Sequence, residues 1–284
     1  MNDVMRPVAA PAVRMLIPAE PPIFSVPARH NPRLQAVAER INADDELRQL
    51  WRSANVNAVD RLGLGDCGEV HVRIVANAAL KLMRLLRDAG HQPSVVTYHR
   101  LTPDEAEVIV VLGAAMHDLG LAVHTDPAVA ARASLVLADR KFHELLEGLY
   151  TPRERAVLTA EALHAVSAQE AGVDCLTLEA GVLRLADALD LTKGRARLPD
   201  EASRRLGAAN SVPVVDEVTI QRAKAPPVRV VLRLSRADGL PAVEALLQSK
   251  LARLPFASLV EIVARVEDDQ AALRPIHAWT EETY

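Results

Sequence analysis

Aromatic side chains are scarce in this chain of 284 residues: two Trp, three Tyr and three Phe, or 3%. Base stacking on aromatic platforms is therefore not an expected mode of nucleic-acid binding, and Ala, Leu and Val must fill the core. A basic excess is lacking too. The 33 Lys and Arg stand against 37 Asp and Glu for a formal net charge of −4, which gives no attraction to nucleic acid or to an anionic membrane. The two cysteines, Cys67 and Cys175, form no CxxC pair, which argues against a zinc ribbon or a disulfide scaffold and suits a reducing compartment. No apolar run approaches the ~18 residues of a membrane span. Pro7, Pro11, Pro18, Pro21 and Pro22 interrupt any signal-peptide core. The expectation is a soluble cytoplasmic protein with neither membrane nor nucleic acid as partner.

What the chain does have is a large apolar fraction, 50%, in two different periodicities. Residues 1–30 are rich in proline and read as an extended arm. From 31 to about 200 the pattern is helical, with helices expected at about 103–122, 128–148, 152–170 and 176–192 and a long one from about 70 that ends at Gly90. After residue 212 the period becomes two. "VDEVTIQRA", "VRVVLRLS" and "SLVEIVARVED" read as strands, with the helix "LPAVEALLQSKLARL" before the last of them. The expected fold is mainly α: a helical bundle over 31–200, then a small α+β domain of order ββαβ over 201–284, with the boundary within 198–213. Gly63, Gly65 and Gly68 have GxGxxG spacing, but the polar "NVNAVDRL" before them is no strand, so they read as a glycine-rich turn.

The chemistry is concentrated in polar residues that interrupt apolar helices. "VIVVLGAAMHDLGLAVH" places His117 and Asp118 in a segment that must lie inside, where an ionised carboxylate needs a cation or hydrogen bonds. His71 shares a helix face with Ile74, Val75, Ala78 and Leu82, and Asp187 shares one with Leu183, Arg184 and Leu191. Taken singly, His71 is explained as a core imidazole bonded to backbone, and Asp187 as a buried pair with Arg184. Taken together, four metal-competent side chains on three apolar helices are all satisfied by one divalent cation. Two imidazoles and two carboxylates suit Mn²⁺, Fe²⁺, Co²⁺, Ni²⁺ or Zn²⁺ better than Mg²⁺.

The order His71, then "HDLG" at 117–120, then Asp187 resembles the HD-domain superfamily of metal-dependent phosphohydrolases, in particular members with a small C-terminal α+β extension. The likeness runs over roughly residues 45–270. It implies hydrolysis of a phosphate ester, such as that of a nucleotide, by a metal-activated water, with His71, His117, Asp118 and Asp187 as ligands. Asp118 is also the candidate to hold or deprotonate that water. Lys193, Arg195 and Arg197 are candidates to clamp the phosphate, or alternatively a basic helix end complementing the macrodipole. His124, His164 and Cys67 are secondary candidates. Such relatives often carry further histidines that hold a second metal. This chain has none in "TDPAVAARAS" and has Gln169 after His164, so one ion per chain is expected. The alternative is an HD scaffold that binds a nucleotide or partner in a regulatory role and turns nothing over. The sequence sets no oligomeric state.

Overall fold

The computed structural model describes residues 23–170, 172–191, 215–251, 254–266 and 274–277. The expected boundary at 198–213 lies outside them, as do Lys193, Arg195 and Arg197. The described part is mainly helical with a small C-terminal sheet. No described helix is long and apolar enough to cross a membrane.

Among the described residues eight α-helices precede the sheet: α1 (Pro32–Ala43), α2 (Asp45–Asn55), α3 (Glu69–Asp88), α4 (Ser94–His99), α5 (Pro103–Met116), α6 (Pro127–Leu146), α7 (Pro152–Ser167) and α8 (Leu178–Ala188). Their starts are written in the sequence. Asp44 caps α2 by accepting from the Leu47 amide, and Thr102 with Glu105 and Thr151 with Glu154 form reciprocal capping boxes ahead of α5 and α7, each with proline in the first turn. Helix α3 ends at Asp88, two residues before Gly90, whose φ of 92° is open to a residue lacking Cβ.

Helices α5 and α8 form the centre. From Glu105 to Met116 and from Glu179 to Ala188 every residue is buried, so neither helix has a solvent face. Around them pack α3 and α7, with α6 against α7. Residues 23–30, without helix or strand, run along this body. Phe24 is buried against Trp51, and its amide and carbonyl are both bonded to the Asn42 side chain.

The sheet contains β1 (Val215–Arg222), β2 (Val228–Leu234), β3 (Val260–Val266) and β4 (Arg274–His277), in the spatial order β1-β2-β3-β4. β1 pairs antiparallel with β2, β2 parallel with β3 through helix α9 (Leu240–Leu251), and β3 antiparallel with β4. The order is therefore ββαββ, with one strand more than the sequence pattern gives. β4 is short, lies at the edge and contains Pro275, which cannot donate to a ladder. β2 is buried at every second residue, Val228 through Leu234. Its apolar residues join one continuous hydrophobic cluster with those of the helical body.

The contact with α8 is close. A Cβ on Gly181 would lie 2.7 Å from Phe256 Cε1 and 3.1 Å from Pro255 Cδ, so glycine is what lets the chain after α9 seat on the central helix. Gly181→Val is expected to lower stability by about 1–3 kcal/mol through overpacking. An unchanged denaturation midpoint would show that this seam yields freely.

Candidate metal centre

His71 lies in the first turn of α3, a helix that opens at Gly68, and it is 1% exposed. His117 is the residue that closes α5. The continuous helix expected over 103–122 is not formed: α5 stops at Met116, Asp118 has φ −101° and ψ 5°, and Leu119–Ala122 follow as a short 3-10 turn. The reason is tertiary. A Cβ on Gly120 would stand 1.8 Å from the Ala130 carbonyl oxygen, so the turn is pressed against α6 more closely than any other residue permits.

Side chains from three other segments satisfy the polar backbone of this turn. Trp51 Nε1 donates to the Ala115 carbonyl at 2.8 Å and Asn57 Nδ2 to that of Leu121 at 2.6 Å. Ser134 Oγ donates to the His117 carbonyl at 2.9 Å and accepts from the Gly120 amide at 2.8 Å. Asn57 sits on a π-helical stretch, Val56–Arg61, which is helix rather than strand and so confirms that Gly63, Gly65 and Gly68 follow no βα element.

The four expected side chains meet. His71 Nε2 and His117 Nε2 are 3.1 Å apart; Asp118 Oδ2 is 3.4 Å and 3.5 Å from them, and Asp187 Oδ1 is 3.5 Å and 3.8 Å from them. Ligand atoms of His71, His117 and Asp118 all lie within 4.8 Å of one another. The outer nitrogens fix the tautomers. His117 Nδ1 donates to the Ala114 carbonyl at 2.9 Å, and His71 Nδ1 to Asp190 Oδ2 at 2.6 Å. Both Nε2 lone pairs are thereby directed at the centre, beside two carboxylates.

His71, His117 and Asp118 form a donor group that fits a divalent ion, with Asp187 set slightly back at 3.5 Å and 3.8 Å from the two nitrogens. Nitrogen and carboxylate ligands at about 2.0–2.2 Å from an ion lie roughly 3.0 Å apart in an octahedron and roughly 3.4 Å apart in a tetrahedron, close to the separations recorded here. Burial raises the Asp118 carboxyl, but without a metal ion His117 and then His71, bearing a proton toward it, outweigh burial and hold the group well below the usual carboxylate range. Asp118 is also the most open of the set, with 24% of its side chain exposed against 8% or less for the others, so approach from solvent is on its side.

No family model and no solved structure matches the chain. Over 242 residues it is 32% identical to the uncharacterized protein MJ1020 of Methanocaldococcus jannaschii, spanning 84% of this chain and 92% of that one. The chain belongs to the MJ1020 family. The match covers too much of both chains to be confined to one of the two parts of the fold.

The secondary candidates are not members of the group formed by His71, His117 and Asp118. His124 is exposed, and its Nδ1 accepts from the Asp126 amide. His164 Nε2 accepts from the Leu176 amide at 3.0 Å. Cys67 is buried, with its Sγ 3.5 Å from the Gly65 carbonyl. Arg184, the sequence's alternative partner for Asp187, donates instead to the carbonyls of Ala168, Glu170 and Val173. One residue that sequence reasoning passed over is at the centre: Asp190, three positions after Asp187 in "LADALD". That helical spacing was its signal.

Two outcomes follow. Gly120→Ala is expected to cost about 3 kcal/mol by denaturant unfolding, at the upper end of overpacking effects because the obstacle is backbone. A stable variant would mean that the turn can move away. His164 is held below its ordinary imidazole value by burial, which Glu161 opposes and Arg184 reinforces. The unfolded chain therefore takes up this proton first. The associated stability is present above about 6.5, the unfolded value, and is lost as pH falls through the folded one. A histidine NMR titration should place the His164 midpoint below 6.5, the ordinary value; a midpoint above it would contradict this account.

Proposed function

We propose that the chain is an HD-domain phosphohydrolase that binds one divalent metal ion and cleaves a phosphate ester, with nucleotides and sugar phosphates as the substrate class. The observation that carries this is the meeting of His71 Nε2 and His117 Nε2 at 3.1 Å, with Asp118 and Asp187 beside them, in the chain order of the HD motif. His71, His117, Asp118 and Asp187 would hold the ion. When bound, it supplies a Lewis acid that polarises a phosphoryl oxygen and acidifies water.

The chain's own residues do the rest. His71 and His117 are locked as nitrogen donors by their outer hydrogen bonds, so no tautomer change is needed for binding. Asp118, on the open side, has the second carboxylate oxygen with which to accept a proton from an attacking water and orient it. Lys193, Arg195 and Arg197, a few residues beyond Asp190, are assigned to the phosphate oxygens on charge alone. The positions of His124 and His164, each accepting from a backbone amide, favour one ion over two.

The test is phosphate release from a panel of nucleotides and sugar phosphates with Mn²⁺, Fe²⁺, Co²⁺, Ni²⁺, Zn²⁺ and Mg²⁺ in turn, alongside metal content. The expected result is metal-dependent release that falls by about 10²–10⁴-fold in Asp118→Asn, in line with loss of a general base. His117→Ala should lose the metal as well. Metal retained in full by both variants would refute the centre. Nucleotide binding without turnover under every metal would replace hydrolysis by the regulatory alternative.

A further inference from the structure

Asp190 is 3% exposed, and its Oδ2 is 2.6 Å from His71 Nδ1. Its other oxygen, Oδ1, is buried with no hydrogen-bond partner, so the imidazole is the polar contact recorded for this side chain. Buried glutamates among the described residues have fuller partners, Glu179 accepting from the amides of Ser94 and Val95. Glu107 meets Arg84 and Arg87, and Glu105 meets Arg33. A carboxylate kept in the interior for one neutral ring is costly unless the ring's task depends on it.

The backbone explains how the contact arises. Helix α8 ends at Ala188, and the Asp190 amide donates to the Asp187 carbonyl at 3.2 Å, so the two aspartates leave the same final turn. Asp187 Oδ1 then stands 3.5 Å from His71 Nε2 while Asp190 Oδ2 holds Nδ1. One imidazole is hydrogen-bonded at Nδ1 by Asp190 and faced at Nε2 by Asp187, two carboxylates from a single turn. His117 has a neutral carbonyl at its outer nitrogen instead. The two rings are therefore unequal donors, His71 being the one backed by full negative charge.

We propose that Asp190 is the positioning residue of the centre: it fixes His71 with the proton on Nδ1 and the lone pair of Nε2 turned inward, and by its charge makes His71 the stronger of the two nitrogen donors. The consequence for affinity rests on the metal reading above; the fixing of the ring does not. Carboxylates behind a ligating histidine typically change metal affinity 10–100-fold.

Two measurements on the full chain separate these parts. Long-range nitrogen–proton NMR of chelator-treated, ¹⁵N-histidine-labelled protein reads the tautomer with no metal present. The expected result is a protonated, hydrogen-bonded Nδ1 on His71 in the wild type, loss or exchange of that Nδ1 proton in Asp190→Ala, and the protonated Nδ1 kept in Asp190→Asn, whose amide oxygen can still accept. Zn²⁺ affinity by competition with a chelator should fall about 10–100-fold in Asp190→Ala, with Asp190→Asn between it and the wild type. A wild-type tautomer in Asp190→Ala would overturn the proposal, as would equal Zn²⁺ affinity in all three proteins. If the tautomer shifts as expected but the wild type takes up no ion under any condition, Asp190 keeps its positioning role and the metal reading fails.

Discussion

Two ring nitrogens 3.1 Å apart, each turned inward by a hydrogen bond on its far side, impose a condition that the surrounding helices have to meet. Both nitrogens present lone pairs, and Asp118 and Asp187 add negative charge within 4 Å of them. Such an arrangement repels itself unless something positive sits at its middle. The chain contains an internal control. At the other end of α5, Glu105 and Glu107 are as deeply buried, but Arg33, Arg84 and Arg87 come in from α1 and α3 to neutralise them. One helix thus carries two solutions to the same problem, guanidinium at its start and imidazole with carboxylate at its end.

Holding that arrangement falls to elements with no chemistry of their own. Trp51, Asn57 and Ser134 take up the polar backbone around the His117–Asp118 turn, and Gly120 allows it to lie against α6. Each of these is buried, and each holds the turn through its main chain, with Asn57 also accepting from Arg61 through its Oδ1. A turn tethered from three directions has little freedom to swing a ligand out of place, which is what a preorganised site requires.

The readable parts of the sequence were those governed by local rules. Capping residues, the apolar face of α3, the continuous apolar run of α5 and the alternation in β2 all identify their elements without tertiary information. His71, His117, Asp118 and Asp187 were legible because each violates the apolar pattern around it. What escaped was fixed by distant partners. The end of α5 at Met116 depends on the Ala130 carbonyl, which no helix propensity near 120 can signal. Arg184 sits three residues before Asp187, a spacing that suits a pair, yet the carbonyls after α7 claim it. Asp190 breaks the pattern as plainly as Asp187 does, but its role depends on a histidine 119 residues away. Strand β4 offers only four residues, one of them proline.

That separation also bears on the birth of the protein. His71 and His117 are 46 residues apart, whereas His71 and Asp190 are 119 apart, and contacts between remote segments form late because the loop between them must first be closed. A chain emerging from the ribosome thus exposes both imidazoles and Asp118 well before α8 is made. For that interval the half-built cluster has no Asp187 or Asp190 to complete it. The cluster is whole only in the finished fold, when the last turn of α8 closes it from behind.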